Sequence, residues 1–347
     1  MQTDVLIVGF GLAGWAMTES LQKANKSFVV IDSGSQAPSS SRAATGIYNP
    51  TVLKRFRAIN CAQKLMDYSI PYYKQKKYES NNHPNEILRV LTSTAEQNDW
   101  IVAADKPDLA HFLSPTIQTS PYTHIDAPHG VGTVQQTGWV DVPALLNSAK
   151  DELITKGVFV HENFAHASLT LTNTEIEYKQ WKASYVVFAE GVGILTNPWF
   201  SSLPLIPNKG EWLVISCPGL GLDQIIKGSV FIVPLGDDRY RVGASYTRNY
   251  KHALATKRAR IWLEDQLNKY VRLPFKVLSH GAGLRPTVPD RKPLLGQHPK
   301  HPQLVCINGL GSRGVLWAPY AAFLLTDSLF QGRLIPKEFD LRRFLPF

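Results

Sequence analysis

Cysteine is scarce in this chain of 347 residues: Cys61, Cys217 and Cys306 stand isolated and never form a C-x-x-C pair. That excludes a disulfide framework, a zinc knuckle and a dithiol redox centre together. Long apolar runs are missing too. No stretch reaches the roughly 20 residues of a membrane-spanning helix, and an apolar strand begins almost at the first residue, where a signal peptide would lie. The expectation is a cytoplasmic protein with no membrane partner. The histidines, His111, His124, His129 and His161 among them, show no ligand spacing with an acid or a cysteine, so no metal is expected. Internal repeats and low-complexity tracts are also absent.

What is present is glycine in two informative loops, Gly9-Phe10-Gly11-Leu12-Ala13-Gly14 near the start and Gly309-Leu310-Gly311-Ser312-Arg313-Gly314 near the finish. The first follows the apolar run Val5-Leu6-Ile7-Val8 and precedes Ala13, Ala16, Met17, Leu21 and Ala24 at helical spacing. A second run, Phe28-Val29-Val30-Ile31, ends at Asp32. Strand, glycine turn, helix and terminal acid form a dinucleotide fingerprint. The glycines let the backbone approach a pyrophosphate, the helix start offers free N–H groups, and Asp32 can accept from ribose hydroxyls. An acid at that strand end disfavours a 2′-phosphate, which favours FAD or NAD over NADP. The second loop reads as a turn into another buried helix, so one long cofactor is expected to be gripped from both ends of the chain.

Hydrophobic residues make up 44% of the chain, a globular proportion, and the length predicts two domains. The formal net charge is +9, with basic clusters at Lys54-Arg55-Phe56-Arg57, Lys74-Gln75-Lys76-Lys77, Lys257-Arg258-Ala259-Arg260 and Arg342-Arg343. This balance suits anionic partners: FAD itself, a carboxylate substrate or a nucleic acid. No single run is dense, so a merely solvated basic surface is the simpler reading, and charge alone decides nothing.

A polar loop at 33–41 follows the opening unit. A helix is expected at 57–78, a strand at 87–91 and a helix at 94–104, with weak patterning onward to Gly132. Asp141 caps an amphipathic helix carrying Val142, Leu145, Leu146, Ala149 and Leu153, stopped by Gly157. Strands are expected at 158–161, 167–171, 175–178 and 185–189. Residues 230–233 and 240–243 form a hairpin around Gly236-Asp237-Asp238-Arg239 within an alternating, antiparallel region from 211 to 247. A charged helix at 252–270 precedes Val305-Cys306-Ile307, the second glycine loop and an apolar helix at 315–330, with Pro319 near its first turn. This order predicts a discontinuous α/β architecture: a nucleotide domain from 1–80, 134–205 and 276–347, and a substrate domain from 81–133 and 206–275.

Five motifs together resemble the D-amino-acid oxidase and glycine oxidase superfamily of flavoproteins over nearly the whole chain. They are the opening fingerprint with Asp32, Ser39-Ser40-Ser41-Arg42-Ala43-Ala44-Thr45-Gly46, Val187-Phe188-Ala189-Glu190-Gly191, Gly283-Leu284-Arg285-Pro286 with Asp290, Pro293 and Gly296, and the final glycine loop. Gly46-Ile47-Tyr48-Asn49-Pro50, Gly243-Ala244-Ser245-Tyr246 and Gly311-Ser312-Arg313-Gly314 are most similar to the flavin domain of the bacterial bifunctional enzymes that mature 5-carboxymethylaminomethyl-uridine in tRNA. Those enzymes carry a methyltransferase domain for which these residues have no room, so the expectation is a stand-alone relative or a plain amine oxidase.

The resemblance implies a Rossmann-like FAD-binding domain of glutathione-reductase type with an inserted antiparallel-sheet (α+β) substrate domain, and non-covalent FAD. The cofactor contacts it implies are Gly9, Gly11, Leu12, Ala13, Gly14, Asp32 and Ser33, then Ser41, Arg42, Ala43, Thr45 and Gly46. Phe164, Ala189 and Gly191 follow from the middle of the chain, and Gly309, Gly311, Ser312, Arg313, Gly314 and Val315 from the last loop. It makes Arg285 the anchor of a substrate carboxylate, which suits the planar fork of a guanidinium. Arg313 is either a second anchor or a brace of its own loop. A tyrosine common in the family is replaced by Phe231, which leaves Tyr48 and Tyr246 as alternative donors or packed aromatics.

The implied reaction is oxidation of the C–N bond of a carboxylate-bearing primary or secondary amine, a glycine-like unit, by hydride transfer to flavin N5. The flavin performs the redox step while protein groups supply position and field, and no dedicated acid or base is demanded. The partner is a small anionic amine, or the same unit on carboxymethylaminomethyl-uridine of tRNA. An NADH-using flavin reductase or a non-catalytic flavin module is a third class. Gly191-Val192-Gly193 is too short for the second fingerprint a reductase of the disulfide type would want.

Overall fold

The computed structural model describes residues 1–34, 39–75, 86–172, 175–248 and 252–344. Among them two large sheets organise the chain, one of eight strands and one of nine.

The eight-stranded sheet is parallel at its centre. Gln2–Val8 lies between Phe28–Asp32 and Trp181–Phe188, with Phe159–His161 and Leu304–Asn308 beyond them. Antiparallel strands flank it: Leu169–Leu171, Ile176–Tyr178 and Leu294–Gln297. The continuous apolar character of Val5-Leu6-Ile7-Val8 follows from burial on both faces. Val5 and Ile7 point into a core shared with the helices Leu12–Lys23, Val142–Thr155 and Gly314–Gln331, whereas Leu6 and Val8 point into a second core with Phe188, Ile194 and Phe200. Each such side chain contributes roughly 1.5–3 kcal/mol by leaving water.

The first helix packs against the last, so the chain's opening and closing thirds meet in one layer. The last helix begins at Gly314, which puts Pro319 in its second turn rather than its first. Proline there leaves the Val315 carbonyl without its helical donor. The Tyr73 hydroxyl supplies one at 2.8 Å, and Ser69 Oγ donates to the next carbonyl, Leu316, at 2.7 Å. The helix Ala62–Gln75 thus makes good the gap that proline opens.

The nine-stranded sheet is antiparallel apart from one parallel pairing, Ile225–Lys227 with Ile87–Val90. Its spine is Ile206–Ser216, which pairs with Arg239–Gly243 on one side and with Lys276–Thr287 on the other. The boundary expected at 276 therefore opens a strand of this sheet rather than of the nucleotide half. The hairpin Phe231–Gly236 to Arg239–Gly243 turns through Asp237 and Asp238, both in the left-handed region.

Three further expectations shift. The helix expected at 57–78 starts at Ala62, because Phe56 and Cys61 take positive φ and Arg57–Ala58 pairs with Thr51–Val52. Its end beyond Gln75, with Lys76 and Lys77, lies outside the described residues, as do 35–38 of the polar loop. The weakly patterned stretch before Gly132 contains the strand Leu113–Gln118, which lies at the end of its sheet and accommodates Pro115 there. The charged helix runs Lys257–Asn268, capped by Thr256, so 252–256 lies outside it.

Candidate active site

One long cleft of about 530 Å³ runs between the sheets, lined by both glycine loops, the 39–46 loop and one face of the nine-stranded sheet. At its nucleotide end the backbone is packed too closely for side chains. A Cβ on Gly14 would lie 2.0 Å from the Gly9 carbonyl oxygen, and one on Gly9, already at φ +96°, 2.8 Å from that of Ala189. Asp32 organises the turn, since its two carboxylate oxygens accept from the N–H groups of Phe10 and Gly34, each at 2.7 Å. Ser41 Oγ accepts from Leu12 N–H at 2.9 Å, which docks the 39–46 loop on the first helix start.

The 39–46 loop is also held from the other sheet. Arg241 donates to the Ala43 carbonyl at 2.7 Å and Trp139 Nε1 to that of Thr45. Arg42 reaches Asn147 at 2.8 Å, and Gly46 at φ +82° abuts the Val140 carbonyl, where a Cβ would lie 2.0 Å away. Burial pushes the Arg241 guanidinium down to about 10, with Asp141 acting in the opposite direction. It also stacks on Trp212, 4.1 Å from the ring.

The second glycine loop makes a short 3-10 turn, Gly311–Arg313, and delivers the start of the last helix to the cleft. Among the described residues no side chain caps that helix, and no acid occupies its first turn, so its start favours negative charge. Asn308 ties the two halves of the cradle by donating to the Gly191 carbonyl at 2.8 Å. Glu190 beside it is buried against Asn197 and His166; burial raises its carboxyl while those two partners oppose the rise.

Most of the sequence-predicted cofactor residues line this cleft: Gly9, Gly11, Leu12, Ala13, Asp32, Ser41, Arg42, Ala43, Thr45, Gly46, Ala189, Gly191, Gly311, Ser312, Arg313, Gly314 and Val315. Gly14 and Gly309 stand behind its wall, where they allow close packing against Gly9 and Val288. Ser33 is not in the wall, and neither is Phe164, whose ring stacks on Tyr178 at 4.3 Å within the second core.

At the opposite end the cleft is walled by charged and aromatic side chains. Arg285 sits within the strand Lys276–Thr287, in register with Asn208, and its Nη1 is buried with no hydrogen-bond partner among the described residues. Burial lowers this guanidinium while the Tyr246 phenol pulls the other way. The Tyr246 ring lies 5.7 Å from it and is exposed at the cleft. Gly210 makes the slot, since a Cβ there would fall 2.0 Å from Arg285 Nη2. The Trp212 indole N–H is likewise buried and without an acceptor among the described residues.

The other two candidates behave differently. Arg313 donates to the carbonyls of Asn49 and Thr51, the latter at 2.8 Å, so both terminal nitrogens brace the 49–51 turn. Burial pushes it down to about 10. Tyr48 is buried against Gly138, where a Cβ would lie 2.3 Å from its hydroxyl. Gly210, Trp212, Arg241 and Lys227 were not singled out from the sequence. A glycine immediately before the alternating region that opens at 211 is the one available signal.

A cleft closed to Cβ atoms at the first turn, an acid at the strand end, two glycine loops at its walls and an uncapped helix start fit a flavin dinucleotide. This fold and cleft define a dinucleotide-dependent flavoprotein. A family model described as FAD dependent oxidoreductase matches residues 4–328, and the chain belongs to that family; FAD is its cofactor. Among curated relatives, the glycine oxidase of Pseudomonas putida is 26% identical over 358 residues, covering 95% of each chain. The tRNA 5-methylaminomethyl-2-thiouridine biosynthesis bifunctional protein MnmC of Azoarcus sp. is 26% identical over 236 residues, which are 59% of this chain and 36% of that protein. The match thus spans little more than a third of that bifunctional protein. The solved glycine oxidase from Bacillus cereus superposes with a TM-score of 0.78 over 96% of both chains at 19% identity, which shows the shared fold. Among the described residues no helix is long and apolar enough to cross a membrane.

Proposed function

We propose that this FAD-dependent oxidoreductase oxidises the C–N bond of a primary or secondary amine that bears a carboxylate, a glycine-like unit. The observation that carries the reading is Arg285, a buried guanidinium in the cleft wall with an unused Nη1 and no carboxylate of the chain paired to it among the described residues. A buried cation left unpaired is costly, so a ligand carboxylate is its natural complement. Bound FAD supplies the acceptor for the two electrons removed from the C–N unit.

The chain's own groups do the rest. Arg285 holds the carboxylate and thereby fixes the adjoining carbon and nitrogen. Trp212 and Phe231 exclude water around them. The uncapped start of the last helix favours negative charge in the adjacent part of the cleft. Gly9, Gly11, Asp32 and Ser41 hold the nucleotide portion, and Arg313 keeps the second loop shaped. An anaerobic titration of the yellow protein with a panel of N-substituted glycines tests the proposal: bleaching is expected, and an unchanged spectrum with every amine overturns it.

A second reading places that unit on carboxymethylaminomethyl-uridine of tRNA, in the cytoplasm. It is supported by the exposed Lys54 at the cleft and by the exposed cations Lys257, Arg258 and Arg260 on the helix Lys257–Asn268. Mass spectrometry of tRNA nucleosides from a deletion strain should show the carboxymethylaminomethyl nucleoside accumulating, and an unaltered profile rejects it.

A further inference from the structure

The cleft carries a second cation that the carboxylate reading leaves idle. Lys227 ends the strand Ile225–Lys227 and lines the same cleft as Arg285. Cross-strand register places both on one face of the nine-stranded sheet. Lys227 pairs with Phe231, Phe231 with Gly243, Gly243 with Trp212 and Trp212 with Gly281, and Arg285 follows Gly281 four residues along its strand. Directly paired residues share a face, and so do residues an even number apart on one strand.

Four strand spacings, roughly 19 Å, and four residues along the strand, roughly 13 Å, put the two backbones roughly 23 Å apart. Each side chain leans inward by one strand, Lys227 over the Phe231 ring and the Arg285 guanidinium against Gly210. The gap that remains is too wide for bare glycine, and suits a ligand with one polar group for each cation.

The ammonium itself has capacity to spare. Lys227 Nζ donates to the carbonyls of Gly228 at 2.9 Å and Ser229 at 3.0 Å, and lies 4.7 Å from the Phe231 ring centroid. Its third hydrogen has no acceptor among the described residues. Phe231 offers no donor of its own, and Lys227 beside it supplies one.

The charged groups facing Lys227 are Arg89, which donates to the Lys227 carbonyl at 3.3 Å, and Glu96, which is taken up by Arg89 and by Thr92. Lys54 lines the same cleft. Burial, then repulsion from Arg89, pushes the Lys227 ammonium down to about 7, with Glu96 opposing.

We propose that Lys227 is a second substrate anchor, receiving an acceptor oxygen on the nitrogen substituent of the glycine-like unit. The substrate class is then an N-substituted glycine whose second arm ends in a carboxylate or a ring carbonyl. This rests on the assignment of Arg285 to the first carboxylate. An acceptor arriving at Nζ favours its charged form, so binding takes up a proton when it occurs above about pH 7.

The test uses the FAD-loaded protein and thioethers that lack the C–N bond, so that binding is read without turnover. Calorimetry compares (methylthio)acetate, thiodiacetate and 5-(carboxymethylthiomethyl)uracil. Wild type should bind one of the two longer ligands roughly ten- to a hundredfold more tightly than the short one at pH 6, the range expected of a charge-assisted hydrogen bond. Which of the two wins tells a second carboxylate from a ring carbonyl. The preference should shrink by pH 9, and proton uptake should appear at pH 8 in buffers of different ionisation enthalpy.

Lys227→Met should bind all three like the short ligand, with Lys227→Leu as a second variant if the first does not fold. Lys227→Arg should keep the preference and lose its pH dependence. An unchanged preference in Lys227→Met or Lys227→Leu, or no preference in wild type, overturns the role of Lys227 while the Arg285 reading stands. Equal binding of the short acid by wild type and Arg285→Ala, or no binding of any thioether by wild type, overturns both.

Discussion

The two ends of the cleft are built by opposite means. At the proposed nucleotide end the wall is main chain from which side chains are excluded, as at Gly9, Gly14 and the uncapped start of the last helix. At the proposed substrate end long cationic side chains form the wall, and Gly210 leaves the room that Arg285 occupies. Backbone recognition is common to every molecule that shares the turn, while side-chain recognition can be changed residue by residue. On the proposed function, the first end sets what cofactor is held, and the second sets what is oxidised.

That division can be broken from either side. The largest effect is expected at Gly14→Val, whose Cβ would lie 2.0 Å from the Gly9 oxygen. The purified variant should be colourless, and a normal visible spectrum would show that the turn tolerates a side chain after all. Next comes Arg285→Ala, which should cut kcat/KM by roughly a hundred- to a thousandfold, since truncating one partner of a buried charge pair costs several kcal/mol. Its flavin content should stay at the wild-type level, and steady-state kinetics beside an absorbance ratio reads both.

Gly210→Ala should raise KM by about tenfold, as expected when a binding interaction is strained rather than lost, again with full flavin. An unchanged KM would mean that Arg285 relocates freely. Arg313→Met separates the two arginines. Leaving the Asn49 and Thr51 carbonyls unsatisfied should cost about 2 kcal/mol or more of stability, seen as a lower Tm and looser flavin. The flavin-bound fraction should keep a normal KM, and a steep rise would return Arg313 to the substrate.

The smallest effect concerns the other face of the substrate sheet. Burial pushes the Glu211 carboxyl up, but hydrogen bonds from Lys209 and Thr256 outweigh it and hold the group below the ordinary carboxylate value. A carboxyl depressed in the folded state contributes stability above its unfolded pKa, about 4.3, and loses it as pH falls through the folded value. Wild type should therefore lose Tm more steeply than Glu211→Gln between pH 5 and pH 3, and parallel acid profiles would contradict this.

The same contrast explains what could be read without coordinates. The opening unit, the helix Thr94–Ala104 behind its Ser93 cap and the helix capped by Asp141 were legible because caps, glycine turns and apolar periods are local signals. The strand Leu113–Gln118 was not, because an edge strand with a proline and exposed residues carries no clean alternation. Arg285 was found through its motif, but the slot at Gly210 and the row from Lys227 to Gly281 exist only once strands are paired. Phe164 shows the reverse: a residue expected at the cofactor whose ring is taken up by Tyr178.

The close packing of the first helix on the last has a temporal side. While the chain is being made, the turn at Gly9–Gly14 exists long before its counterpart at Gly309–Val315, and a dinucleotide offered to it then would find half a binding surface. The whole binding surface exists only once the closing helix has docked on Leu12–Lys23 and been clipped to Tyr73 and Ser69. A chain cut short before Gly309 should therefore be made without colour, however much flavin the cell supplies.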